Sequence, residues 1–499
     1  MATEVKEAVE DKVTSCRCHF CGSGMCNVLV HSTGDQVTGV EPDPSWPMSA
    51  AHCVRHKNNG RAALEYHYHP DRLNFPMKRV GERGENKWQR LSWDDALKEV
   101  GEKLNAIRDE YGAEAVGACT GTGRYGDYTW VKSKFLNLFG SGNNHGNEAI
   151  CHGPATKAYE ATVGWCMQIF MVPGVTKCLV LNSNQRESAP PAMAAIEAVK
   201  ASGGKIISIS PRFGNVSRIA DYYLPVRPGS DGALYLAWMN VIINEDLYDH
   251  EFVENWSVGF DELKEYVQQW TPEKAAEICW VSADMIRETA RVYATNGPQR
   301  LIGMQSYDGQ APNGFRTCRC CAMLECLVGA IDHGCPIIGP LDGNLFEDDY
   351  HAERNDMLPH SQQVKQIGGD RFNVIGWPGW TELGKGQQRR YGTQMYTHWS
   401  NQGHAPTLWR QILSEKPYPV KALILTGCGA LTKYANTKLV LEAFKKLDLL
   451  VVADFFPKGL RTFSWTPQTA MPRSSRNSRI VFHPSAFLIF PSRYQARYS

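Results

Sequence analysis

Apolar positions change period several times along the 499-residue chain, and each change marks an element. In Ser92–Gly112, Leu97, Val100, Leu104 and Ile107 recur at helical spacing, which predicts an amphipathic helix with one buried stripe. Ser92 offers its N-cap, Asp95 holds the capping-box position and Gly112 stops it. Between Lys177 and Pro228 the pattern becomes strand, helix, strand: Cys178–Leu181 is a short apolar run, Ala192–Ala201 a helix and Lys205–Ile209 a second strand. The same order returns in Val420–Leu425, Thr437–Leu447 and Leu449–Ala453. Two parallel βαβ units in separate α/β domains follow, with loops at the carboxyl ends of their strands, where such sheets bind ligands. Asn27–Val40 reads instead as two short strands around a Ser-Thr-Gly-Asp turn. The chain carries no repeat of solenoid period.

Composition narrows the class. Lys and Arg number 53 against 52 Asp and Glu, a net charge of +1, which argues against a nucleic-acid-binding protein with a basic face. Apolar residues at 43% and charged residues at 21% are those of a globular protein with large cores, and exclude disorder, collagen and small disulfide scaffolds. At about 100–200 residues per domain, three or four domains are expected. Met1–Val13 alternates charged with small residues and shows neither a secretory apolar run nor a twin arginine. No stretch of about 18 apolar residues exists to cross a membrane. The expectation is a cytoplasmic protein, and in that reducing compartment its 16 cysteines read first as metal ligands.

Cys18-x2-Cys21-x4-Cys26, with Cys53 after 26 intervening residues, offers four thiolates. Such a set suits a [4Fe–4S] cluster, which needs four cysteinates from a tight turn and a distant loop. It suits tetrahedral zinc equally well, and unliganded thiols are the third reading. Gly22 and Gly24 let the turn curl round a metal, and a metal would staple a β-rich module too short to bury a core of its own. Cys16 is one thiol more than the site needs, and the tighter Cys18-x2-Cys21 hairpin favours Cys18. Cys318, Cys320, Cys321 and Cys326 fall on a helical stretch where Cys318 and Cys321 share a face, and read as core thiols rather than a second metal site. After Asp454 the composition breaks: 45 residues hold seven basic and no acidic side chains, where the preceding rate of 52 in 454 gives about five.

From about Cys18 to Phe456 the sequence resembles the molybdenum/tungsten bis-pterin oxidoreductases, the dimethyl-sulfoxide-reductase family. After the cysteine cluster, DRLNFPMKRVGERGENKWQRLSWDDA (71–96) is similar to the family's linker, and LFGSGNNHGNEAICHGP ends in Cys151-His152-Gly153-Pro154, where the family places its metal-ligating side chain. SPRFGNVSRIADYYLPVRPGSDGAL (210–234) resembles the pterin-dinucleotide segment. Within the family, 240–263 is most similar to acetylene hydratases and anaerobic catechol dehydroxylases, while Cys-His-Gly-Pro is similar to formate dehydrogenases. Three positions depart: Gly22 stands where acetylene hydratases carry an aspartate, Asp342 where formate dehydrogenases have an arginine, and Gly429 near a pterin-touching asparagine.

The resemblance implies a [4Fe–4S] cluster on Cys18, Cys21, Cys26 and Cys53, and Mo or W held by bis-molybdopterin guanine dinucleotide with Cys151 as thiolate ligand. Without it, Cys151 reads as a buried thiol. His152 faces the substrate as proton donor or acceptor, or is hydrogen-bonded behind the metal. Arg55 corresponds to the cation between cluster and pterin; a surface arginine is the alternative. Asn184, Ser210, Arg212, Gly229 and Asp231 correspond to dinucleotide-binding positions, Asp231 accepting two N–H bonds from guanine. The competing reading is ordinary loop chemistry, with Asp231 capping the next helix.

The implied architecture is α/β: a small β-rich iron–sulfur domain over 1–62, a discontinuous Rossmann-like domain over 63–150 and 335–455, a dinucleotide-binding α/β domain over 151–334, and an atypical basic tail over 456–499 in place of the family's C-terminal β-barrel. The break at Phe456 is read as truncation or a frameshift, with a disordered basic arm as the alternative. The expected function is oxidoreduction of a small organic substrate by hydroxyl, oxygen or hydride transfer, with electrons passing to an iron–sulfur subunit or ferredoxin. The alternatives are a non-redox hydratase on the same cofactors, an inactive truncated product, and a zinc-stapled binding protein without pterin.

Overall fold

The computed structural model describes residues 11–18, 26–45, 57–82, 85–121, 135–146, 151, 153–164, 171, 173–182, 190–302, 313–331, 355–372, 376–379, 382, 385, 402–456 and 478–482. The chain divides into two compact units. One comprises Met1–Asn144, Ala189–Pro191 and Pro406–Ser499; the other comprises His145–Ser188 and Ala192–Ala405.

In the first unit β1 (Asp11–Arg17), β2 (Asn27–Thr33) and β3 (Gln36–Pro42) form an antiparallel sheet in that order. The two expected strands are β2 and β3; β1, which mixes charged and apolar positions, carried no clear pattern. The unit continues with β4 (Met77–Arg79), β5 (Trp88–Arg90), β6 (Val116–Thr120) and β7 (Asn144–His145), the last at the junction between units. The second unit holds β8 (Cys178–Leu181), β9 (Lys205–Ile209), β10 (Tyr222–Leu224) and β11 (Gln299–Ile302). The chain then returns to the first unit with β12 (Ala422–Thr426), β13 (Leu449–Ala453) and β14 (Ser478–Phe482).

The larger sheet has the order β5-β4-β14-β13-β12-β6-β7. β6, β12, β13 and β14 pair in parallel, while β4 runs antiparallel to β14. β14 lies inside the acid-free tail, whose pattern did not single it out. The helix Trp93–Tyr111 packs beside this sheet. Ser92 Oγ accepts from Asp95 N–H (3.1 Å), and Gly112 closes the helix at φ +89° with its N–H on the Arg108 carbonyl (2.9 Å). The expected stripe needs one correction. Leu97 is 58% exposed, and Ala96, at 0%, takes its place beside Val100, Leu104 and Ile107. The face is set by the i, i+4 row 96–100–104, so a small residue buries where a larger neighbour points to solvent.

The second unit is built on a parallel sheet of order β10-β9-β8-β11. The helix Pro190–Ala201 links β8 to β9, as the apolar pattern predicts. Chain order reverses beside β8, which has β9 on one side and β11 on the other; this switch point is where ligands bind parallel sheets, outside the carboxyl ends. The helix Asp231–Asn244 is apolar on nearly every face and buried accordingly, with Trp238 stacked on Tyr293 at 5.4 Å. Cys318, Cys320 and Cys321 are buried within the helix Gly314–Leu327, as core thiols. No described helix is long and apolar enough to cross a membrane.

Candidate functional site

At the N-terminal sheet, Cys16 is buried opposite Val28 and packs with Val28 and Val40; burial pushes its thiol up. Cys18, just past β1, donates its N–H to the carbonyl of Cys26, just before β2 (2.8 Å), and the two side chains pack together. Cys18 packs against the Cys16 core as well as against Cys26, so the three described thiols lie at one end of the sheet. Cys21, Cys53 and Arg55 lie outside the described residues. Among the described residues no group of three or more His, Cys, Asp or Glu converges to hold a metal.

In the second unit Cys151 is 4% exposed and lies two residues before the helix Gly153–Val163. That helix is anchored by polar contacts rather than by apolar packing alone. Lys157 and Glu160 form a buried ion pair (2.7 Å), and Tyr159 Oη donates to Glu325 Oε2 (3.0 Å). Glu325 also pairs with Arg300 of β11 and accepts from the Leu301 N–H (3.1 Å). The middle of the helix is thus tied to the parallel sheet. His152 lies outside the described residues. His145, six residues before Cys151, is fully buried against Gly403, where a Cβ would collide with its ring; burial pushes its pKa down to about 3, so it is neutral.

The carboxyl edge of the four-stranded sheet gathers the expected dinucleotide positions that are described. Ser210 follows β9, and its Oγ accepts from Arg212 N–H (3.2 Å). Gly229 takes φ +83°, which favours glycine, in the turn entering the helix Asp231–Asn244. Ser230, not Asp231, occupies the N-cap, so the capping reading of Asp231 is corrected. Its carboxylate, 6% exposed, instead accepts from Asn182 Nδ2 (3.0 Å), and Asn182 Oδ1 accepts from Tyr235 Oη (2.8 Å). Asn182, one residue beyond β8, and Tyr235 were missed in sequence; a polar residue directly after an apolar strand was the available signal. Asn184 lies outside the described residues.

Burial raises the Asp231 carboxyl from its ordinary 3.8 to about 6. A raised carboxyl favours folding where it is protonated. Its contribution is complete below pH 4, falls as pH rises through 4 to 6, and above that is lost, by about 3 kcal/mol. Asp231→Asn should therefore unfold at higher denaturant than the parent at pH 8, with the difference disappearing near pH 4. Equal midpoints at both pH values would contradict a buried ionised carboxylate.

A parallel sheet with a buried acceptor beyond its central strand is the arrangement in which α/β proteins hold ligands. Residues 72–461 match the molybdopterin oxidoreductase family, and the chain belongs to it. It is 34% identical over 425 residues to acetylene hydratase of Syntrophotalea acetylenica, covering 83% of this chain and 56% of that protein. It is 28% identical over 452 residues to the molybdopterin-containing subunit of thiosulfate reductase from Salmonella typhimurium, covering 89% and 56%. The fold matches acetylene hydratase from Pelobacter acetylenicus with a TM-score of 0.75 at 29% identity, over 90% of this chain and 62% of that one. The chain thus spans little more than half the length of these relatives.

Proposed function

We propose that this chain binds Mo or W through bis-molybdopterin guanine dinucleotide and oxidises or reduces a small organic substrate, with electrons passing through a [4Fe–4S] cluster on Cys18, Cys21, Cys26 and Cys53. The observation that carries the reading is the buried Asp231 carboxylate at the switch point. Guanine offers two adjacent N–H donors, and a carboxylate held out of water is the acceptor that matches them. Asn184, Ser210, Arg212 and Gly229 complete the dinucleotide site, on the domain 151–334. The Cys18–Cys26 contact supports the set Cys18, Cys21, Cys26 and Cys53, on the domain 1–62. When bound, the metal and pterin supply the oxygen, hydroxyl or hydride chemistry. Cys151 would give the thiolate ligand, His152 would hold or deliver a proton at the substrate, and the Arg55 cation would favour the reduced form of the cluster. The electron partner is an iron–sulfur subunit or a ferredoxin.

A hydratase on the same cofactors is the second reading, favoured by the likeness to acetylene hydratase. Gly22, at the position of the hydratases' aspartate, weighs against it. Anaerobic purification with elemental analysis tests both. Expected are about four irons with a brown chromophore, Mo or W in addition, and turnover only with an electron donor or acceptor. Zinc without a chromophore overturns the cluster, and turnover without any redox partner selects the hydratase.

A further inference from the structure

β6 and β12 run parallel in register, Cys119 opposite Leu425 and Thr120 opposite Thr426. Just beyond their ends the Gly121 N–H donates to the Thr426 carbonyl (3.0 Å), and a Cβ on Gly121 would collide with the Gly427 carbonyl. This close approach brings Cys119 and Cys428, which are 309 residues apart in sequence, to an Sγ–Sγ distance of 3.8 Å. Both are buried, Cys119 at 0% and Cys428 at 5% exposure. Tyr434 Oη lies 3.3 Å from Cys119 Sγ. Lys433 Nζ donates to the Thr120 carbonyl (3.1 Å) and lies 4.0 Å from Cys428 Sγ.

We propose that Cys119 and Cys428 are a reversible oxidation site that closes to a disulfide on exposure to hydrogen peroxide. A cation beside a thiol favours its thiolate, and Cys428 is both the more exposed sulfur and the one next to Lys433. Cys428 releases its proton and its thiolate attacks the peroxide. An S–O bond forms, the O–O bond breaks, and hydroxide leaves and takes up the proton as water. Cys428 is then a sulfenic acid. The Cys119 thiol attacks that sulfur, the S–S bond forms, the S–O bond breaks, and the hydroxyl departs as water with the Cys119 proton. The two thiols lose two electrons and one peroxide gains them. A disulfide of about 2.05 Å asks the sulfurs to approach by under about 2 Å, within reach of side-chain rotation. The bond staples the ends of β6 and β12 at the edge where parallel sheets take ligands. The inference rests on packing within one unit and holds whichever ligand binds there.

The test is a site-resolved thiol map of the full chain. Anaerobically reduced protein is exposed to peroxide, quenched, denatured, alkylated and digested. The expected product joins the Cys119 and Cys428 peptides, two hydrogens lighter than the sum, and dithiothreitol reverses it. Buried Cys178 stays alkylatable as the reference. Cys119→Ser should leave Cys428 as a sulfenic acid trapped by dimedone, whereas Cys428→Ser should leave Cys119 unoxidised. Recovery of both thiols alkylated from the oxidised parent, or of Cys428 as sulfinic acid with Cys119 unpaired, overturns the proposal. The parent map decides even if a serine variant does not fold.

Discussion

Replacing Cys151 by alanine is expected to lower turnover by at least a few hundredfold while the chain stays folded. Loss of a metal ligand removes several kcal/mol of transition-state stabilisation, and about 1.4 kcal/mol is a factor of ten. The packing cost is small by comparison. Cys151 is buried but precedes the helix Gly153–Val163, which the Lys157–Glu160 pair and the Tyr159–Glu325 hydrogen bond hold independently of it. Removing one sulfur from a core costs about 1 kcal/mol or a little more. A ligand and a core filler therefore separate cleanly. As a ligand, Cys151→Ala loses activity and changes the electron paramagnetic resonance of the metal, with iron content and unfolding midpoint nearly unchanged. As a filler, it shifts the midpoint and leaves activity alone. The second result would end the assignment of Cys151.

What sequence could reveal depended on separation along the chain. The helix after Ser92 and the strands β8, β9 and β13 are local patterns, and the structure returns them with the expected bounds. β6, Val-Gly-Ala-Cys-Thr, is fully buried but too small in side-chain volume to stand out as an apolar run. Leu97 shows the limit from the other side, since a residue at helical spacing still points outward when the i, i+4 row beside it is the buried one. Polar networks were the least legible. Asn182 meets Asp231 across 49 residues, Arg300 meets Glu325 across 25, and Cys119 meets Cys428 across 309. Each pair is joined by tertiary packing of elements distant in sequence, which no single segment encodes. The family resemblance, by contrast, singles out Ser210, Arg212, Gly229 and Asp231 from local motifs alone. Between them lie a short helix, a strand and the turn that starts the next helix.

Arg300→Met alone is expected to destabilise the second unit by about 3–5 kcal/mol, the cost of leaving a buried charge without its partner. Arg300 and Glu325 are both fully buried and paired, and Glu325 also accepts from Tyr159 Oη and the Leu301 N–H. Burial raises the Glu325 carboxyl, and Arg300 is the largest influence opposing that rise. Removing the guanidinium raises it further. A raised carboxyl stabilises the fold where it is protonated and ceases to do so as pH rises through its folded pKa. The destabilisation of Arg300→Met must therefore be greater at pH 8 than at pH 5. Adding Glu325→Leu should recover much of the loss and erase the pH dependence, because a well-packed apolar pair can equal a buried ion pair. Denaturant midpoints of the three variants at both pH values give the answer. A double variant less stable than Arg300→Met would mean that Glu325 is held chiefly by Tyr159 and the backbone. Because Tyr159 sits on the helix that follows Cys151, the proposed ligand, the single variant should also loosen that helix. Activity is then expected to fall with pH in parallel with stability.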